Sequence, residues 1–109
     1  MKPVEWRPQA RDDAANAAHW HAQQGSVPLG EAFLLEVEAS LLAIARHPRI
    51  GSLRHAECAV ELPSPLRFLP LKRFKRYLIY YIDLRERVEV IRIWHTSRGL
   101  DALMDIEPG

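Results

Sequence analysis

The sequence predicts an α+β domain: an N-terminal strand, an αα-hairpin, a three-stranded antiparallel meander and a short C-terminal helix. Three observations carry this. Two runs rich in β-branched and aromatic residues, Tyr77–Asp83 and Val88–His95, flank a short charged connection. Upstream of them, two segments place their apolar residues at helical spacing. Strands that follow helices through hairpin-length links belong to α+β architectures rather than to doubly wound sheets. At 109 residues the chain is expected to form a single domain, 1–109, able to bury a core without disulfides or metal.

Lys2–Trp6 alternates Pro3 and Glu5 with Val4 and Trp6, the pattern of a short strand with one apolar face. Pro8 suits a first helical turn, where its missing N–H is an orphan anyway. Gln9–Gln24 is alanine-rich, with Ala10, Ala14, Ala17, Ala18 and His21 at helical spacing, so another element can approach closely. Gly25 ends it. Ser26 is the expected N-cap of a second helix, Leu29–His47, whose apolar stripe is Leu29, Phe33, Val37, Leu41 and Ile44. Pro48 stops that helix, and Arg49–Pro65 carries no regular pattern, only a turn or a short strand. Leu66–Leu71 opens the meander, and Pro70 assigns it to an edge or a bulge. Gly99 breaks the last strand, after which Leu100–Ile106 has room for one or two helical turns and Glu107–Gly109 is expected to fray.

Charge is unevenly spread. Residues 66–98 hold nine Lys and Arg against three acids, a local +6, whereas the remainder holds six against eleven, −5. One basic region on an acidic body implies an acidic partner. The single cysteine, Cys58, permits neither an internal disulfide nor a zinc spacing, and is expected as a small, partly buried residue in a reducing, cytoplasmic setting. The first residues, Met-Lys-Pro-Val-Glu-Trp, lack the apolar core of a secretion signal, and no apolar run approaches the roughly 20 residues that cross a bilayer. No membrane association is expected.

Four places carry candidate chemistry. His95 ends a strand and is followed by Thr96, Ser97 and Arg98; it is either a general acid/base for a phosphodiester or a cap on the sheet edge. Period-two alternation puts Val90, Arg92 and Trp94 on one face and Ile91, Ile93 and His95 on the other. Arg92 there reads either as a stacked anchor at a binding surface or as an arginine whose stem covers the sheet. Lys72, Arg73, Lys75 and Arg76, interleaved with Phe74 and Tyr77, form the densest basic and aromatic cluster. It suits phosphates and bases, an acidic protein segment, or a solvated loop. Tyr77, Tyr80 and Tyr81 point to both sheet faces, so at least one belongs to the core. His19, His21, His47 and His55 form no metal set, and no phosphate loop, nucleophile elbow or carboxylate pair occurs, so no cofactor or metal is expected.

Taken together, several short pieces resemble the RelE/ParE superfamily of toxins from type II toxin–antitoxin modules, and look closest to its ParE branch. They are Arg7-Pro8-Gln9-Ala10 after the first strand, His47-Pro48-Arg49-Ile50-Gly51 closing the second helix, Leu66-Arg67, Arg76-Tyr77-Leu78-Ile79-Tyr80-Tyr81, and Val90-Ile91-Arg92-Ile93-Trp94-His95-Thr96-Ser97-Arg98. They cover nearly the whole chain in order. Arg7 departs from the pattern, since the family often has a helix-capping serine there. The resemblance implies a toxin that inhibits DNA gyrase by protein binding and is neutralised, in a hetero-oligomer, by a cognate antitoxin that wraps a helix and an extended segment around it. Its alternative is a RelE-like, ribosome-dependent mRNA endonuclease, with His95, Arg76 and Arg98 handling proton transfer and phosphate charge; a third reading is a degenerate member that binds antitoxin and poisons nothing. Against the nuclease pattern, the arginine expected at the start of the second meander strand falls on Tyr77, though a slip of one would bring in Arg76. The arginine expected after the last strand falls on Thr96, and no tyrosine follows Arg98. The gyrase-directed reading is therefore favoured, with Arg73, Arg76, Arg92 and Trp94 expected to dock the antitoxin. His95 and Arg98 match a His-x-x-Arg ending common in ParE-like chains.

Overall fold

A computed structural model describes residues 1–105 of the chain. Strand β1 (Val4–Trp6) leads into helix α1 (Pro8–Gln24), then α2 (Val27–Arg46), and the meander β2 (Leu66–Pro70), β3 (Tyr77–Asp83), β4 (Val88–His95). Proline at the start of α1 is tolerated as expected, but Arg7 offers that helix no side-chain cap. Its Nε instead donates to Glu89 Oε1 at 2.9 Å, tying the helix entry to β4. Ser26 does cap α2, its Oγ accepting from Leu29 N at 3.2 Å.

Ala10, Ala14, Ala17 and Ala18 of α1 are buried, as the spacing predicted, and so are Phe33, Val37, Leu41 and Ile44 of α2. Burial of each large side chain in that stripe contributes roughly 1.5–3 kcal/mol. Small residues let the helices close up: a Cβ on Gly30 would lie 2.6 Å from Ala18 O. The hairpin covers one face of a four-stranded sheet of order β1-β4-β3-β2. β3 and β4 form the expected antiparallel centre, while β1 joins β4 in parallel, Val4 opposite Val88. Pro70 sits on the edge strand, where its missing donor costs no ladder bond.

The second face is covered too. Leu66, Leu78, Tyr80, Ile82, Ile91 and Trp94 pack there against Ala59 and Leu103. Residues 49–65, irregular in sequence, supply this cover through a 3₁₀ turn at Ala56–Ala59 and a bridge from Ser52 to Phe68. The segment is pinned by Tyr81, whose hydroxyl donates to Pro48 O at 2.7 Å and accepts from Gly51 N at 2.8 Å. Gly51 is required at that close approach, since a Cβ would meet the Tyr81 oxygen at 2.5 Å. Cys58, expected partly buried, is exposed on the 3₁₀ turn. The C-terminal helical stretch is one 3₁₀ turn, Leu100–Ala102, followed by buried Leu103. Ile106 and Glu107–Gly109 lie outside the described residues.

One register shift corrects the face assignment of β4. Tyr80 pairs with Arg92 but Tyr81 pairs with Val90, leaving Ile91 as an extra residue. The bulge interrupts the alternation. Val90 and Ile93 therefore face the helices, whereas Ile91 and Trp94 face the opposite core.

Candidate functional site

At the end of the sheet where β3 begins and β4 finishes, two recesses adjoin. The first, about 300 Å³, lies between α1 and β4. Gln9, Asp13, Asn16 and Trp20 line it from one side of α1, a spacing that stacks them on one helix face. Tyr77, Arg92, Ile93, His95 and Arg98 close it from the sheet. The second recess, about 420 Å³, lies behind the turn between β2 and β3. Arg73, Phe74, Arg76 and His21 line it, and Trp20, Tyr77 and His95 form the wall the two share.

The turn is built with its aromatics inward and its cations outward. Phe74 packs edge-on against Phe33 at 5.2 Å and against His21 at 5.0 Å. Glu36 of α2 holds the backbone, its carboxylate accepting from Arg73 N at 2.9 and 3.0 Å and from Phe74 N at 3.3 Å. With the main chain so fixed, the side chains of Lys72, Arg73, Lys75 and Arg76 are exposed. Thr96 N donates to Arg76 O at 2.7 Å, extending the β3–β4 ladder and setting Arg76 beside the end of β4.

His95 packs edge-on against Tyr77 at 4.8 Å. Its Nδ1 accepts from Ser97 N at 3.0 Å and lies 2.7 Å from Ser97 Oγ. That network assigns the ring proton of neutral His95 to Nε2. In this arrangement Nε2 is the ring nitrogen left to face a partner. Burial, followed by repulsion from His95, lowers the pKa of His21, whose Nε2 is buried with no partner among the described residues. Burial raises the Tyr77 hydroxyl. On the opposite face, burial and then Cys58 push Tyr80 up to about 12, and its hydroxyl meets His55 Nδ1 at 2.7 Å.

The expected docking residues divide. Arg73, Arg76, His95 and Arg98 all gather at this end of the molecule, but Arg92 and Trp94 are only 2% and 1% exposed. Both are corrected from surface anchors to internal groups. Arg92 forms a two-pronged pair with Asp13, Nε to Oδ2 at 2.7 Å and Nη2 to Oδ1 at 2.8 Å, and its Nη1 donates to Leu103 O at 3.1 Å. Asp13 Oδ2 also accepts from Ile93 N at 3.1 Å, so it closes the edge of β4 where β1 stops. Trp94 lies on the far face, its ring covered by the guanidinium groups of Arg98 at 4.0 Å and Arg92 at 4.7 Å. Trp94 Nε1 donates to Arg98 O at 3.2 Å.

Asp13 and Trp20 were missed in the sequence. Trp20, 55% exposed, stands outside the alanine stripe of α1, and an exposed tryptophan on a small-residue helix was the available signal. Asp13 gives no local signal. Among the described residues no cluster of His, Cys, Asp or Glu could hold a metal, and no helix is long and apolar enough to cross a membrane.

Comparison with known proteins agrees with this architecture. The family model described as ParE toxin of type II toxin–antitoxin system, parDE, matches residues 4–100. Among solved structures, the chain is similar to a chromosomal ParDE toxin–antitoxin system from P. aeruginosa. That match has a TM-score of 0.70 and 15% identity, covering 87% of this chain and 96% of the other. No curated protein matches by sequence.

Proposed function

The chain belongs to the ParE toxin family of type II toxin–antitoxin systems, and from that premise we propose that it inhibits DNA gyrase by binding and is neutralised by a cognate antitoxin. It acts in the cytoplasm, where gyrase works, and is held inactive in a hetero-oligomer. The observation that carries the reading is the end of the sheet. There, exposed Arg73 and Arg76 stand around His95, whose Nδ1 is committed to Ser97. Cations on a rigid turn, beside a ring whose Nδ1 is already bonded to Ser97, suit an acidic protein surface.

The endonuclease reading keeps one support, since Arg76, His95 and Arg98 do converge at this end of the sheet. One experiment separates the two. Purified toxin is assayed for inhibition of gyrase supercoiling and, from the same preparation, for cleavage of mRNA on programmed ribosomes. Loss of supercoiling with intact mRNA is expected. Cut mRNA with normal supercoiling would overturn the proposal and make Arg76, His95 and Arg98 an active site.

A further inference from the structure

We propose that the outer face of α2 is a symmetric dimer interface, on which a second copy of the chain packs its own α2 antiparallel to the first. The inference is independent of what the toxin inhibits. It assigns a partner to a surface that neither the fold nor the site at the end of the sheet uses.

Each helix of the hairpin buries one stripe, but their outer faces differ. Apart from Trp20 at the recesses, the exposed residues along α1 are polar or small, among them Arg11, Asp12, Asn16, His19 and Gln23. That is the ordinary surface of a solvated helix. On α2, Leu35 is 65% and Leu42 42% exposed, with Ala39 exposed between them. At about 100° per residue, these two leucines fall within about 20° of each other. They lie on the side away from the buried stripe of Phe33, Val37, Leu41 and Ile44. A single exposed leucine is unremarkable, but two in line one heptad apart make a seam for another helix. A helix apolar on two faces is one that is covered on both.

Charge identifies the occupant. Glu31 and Arg46 bracket the leucines on the same face, within about 60° of one another. Both are exposed, and neither has an ion-pair partner among the described residues. A twofold axis crossing α2 midway between Glu38 and Ala39 exchanges Leu35 with Leu42 and Glu31 with Arg46. Antiparallel copies therefore set Leu35 against Leu42 twice and Glu31 against Arg46 twice, over about 22 Å of helix. A twofold contact needs this self-complementarity, in which residue i meets j and j meets i. A crossing angle of about 20° keeps all four pairs in register. Ala39, on one flank of the seam, lets the helices approach; Glu38, on the other, meets its own copy near the axis. An acidic partner does not fit, because the stripe offers it two glutamates and one arginine. One helix pair is smaller than a standard interface and belongs to the weak, concentration-dependent class. No residue lining the two recesses lies in this stripe, so a dimer leaves both copies of the site open.

The test is sedimentation equilibrium of the full chain, free of antitoxin, from about 1 to about 500 µM, the range of weak association. The expected mass rises with concentration from 12.5 kDa toward twice that value. Leu35→Ser and Arg46→Glu should each weaken association at least about tenfold at an unchanged melting temperature, since both positions are exposed. Glu31→Arg combined with Arg46→Glu should restore it, because the swap returns every pair to opposite charge under the twofold. Glu38→Gln should tighten it about threefold by removing like charges at the axis. If a variant fails to fold, Ala39→Cys with Cys58→Ser decides alone: oxidation is expected to join two copies through position 39. A monomer at every concentration overturns the inference, and so does absence of that bridge. A dimer indifferent to Leu35→Ser and Arg46→Glu, or one the double swap does not restore, overturns it as well. A chain monomeric by itself, whose Leu35→Ser variant loses antitoxin binding, assigns the stripe to the antitoxin and also overturns it.

Discussion

Arg92 near Trp94 and Arg73 beside Phe74 each set an arginine close to an aromatic residue in the sequence, yet the molecule uses the two pairs in opposite ways. On β4 the cation is inside, clamped by Asp13 and lying over the Trp94 ring. On the turn the aromatic is inside, against Phe33 and His21, and the cation stays out, with only a loose approach of 5.5 Å to the Phe74 ring. What separates them is where a carboxylate arrives. Asp13 reaches the Arg92 guanidinium itself, whereas Glu36 bonds the backbone N–H of Arg73 and leaves its charge unspent. A basic–aromatic pair is thus structural or available for binding according to which of its groups a third residue satisfies.

The comparison breaks hardest at Asp13. Asp13→Ala leaves a buried guanidinium without its counter-charge and frees the Ile93 N–H, at an expected cost of about 3–5 kcal/mol by urea unfolding. A loss below about 1 kcal/mol would show that Arg92 is not held as described. The turn should answer the other way. Arg73→Ala with Arg76→Ala is expected to leave stability within about 0.5 kcal/mol while weakening the acidic partner about tenfold, more so at low salt. Calorimetric titration at two salt concentrations checks it. Equal affinity for the double variant would class the cluster as a solvated loop. Smaller again is Glu36→Ala, which removes the acceptor of the turn's amides. A loss of about 1 kcal/mol is expected, with faster exchange at Arg73 and Phe74 but not at Ile93.

Much of this architecture was legible because it rests on local periods. The alanine stripe of α1, the Ser26 cap, the stripe Phe33–Val37–Leu41–Ile44 and the edge position of Pro70 each follow from neighbours within a turn or a strand. The site was less legible. Asp13 and Arg92 are 79 residues apart, and nothing near either names the other. Alternation along β4 failed because one extra residue, Ile91, cannot be seen in a period-two pattern. The cations around β1 escaped notice for a related reason. Lys2, Arg46 and Arg49 are scattered through an acidic stretch of chain and border one cleft only where α2 returns to the start of the sheet.

The smallest expected effect separates the two regions by pH. His21 lies under the turn, its ring 5.0 Å from Phe74 and 5.7 Å from Tyr77. Burial first, and His95 second, hold its pKa below the ordinary 6.5. In the folded chain it therefore resists a proton that the unfolded chain accepts near pH 6.5. The sign follows: the stability His21 allows is complete above the unfolded value, is lost as pH falls through it, and levels off beneath the folded value. Melting temperature should thus drop between about pH 7.5 and pH 5.5, and the drop should be shallower in His21→Phe, which keeps the ring contacts and removes the titrating group. Exchange at Phe74 should quicken over the same range, while exchange at Ile93, bound to Asp13 across the sheet edge, should follow only the global change. Parallel melting curves for the two proteins would remove His21 from the account. Equal quickening at Ile93 would mean that acid acts on the whole fold, and that the turn and the Arg92 platform are not separate units.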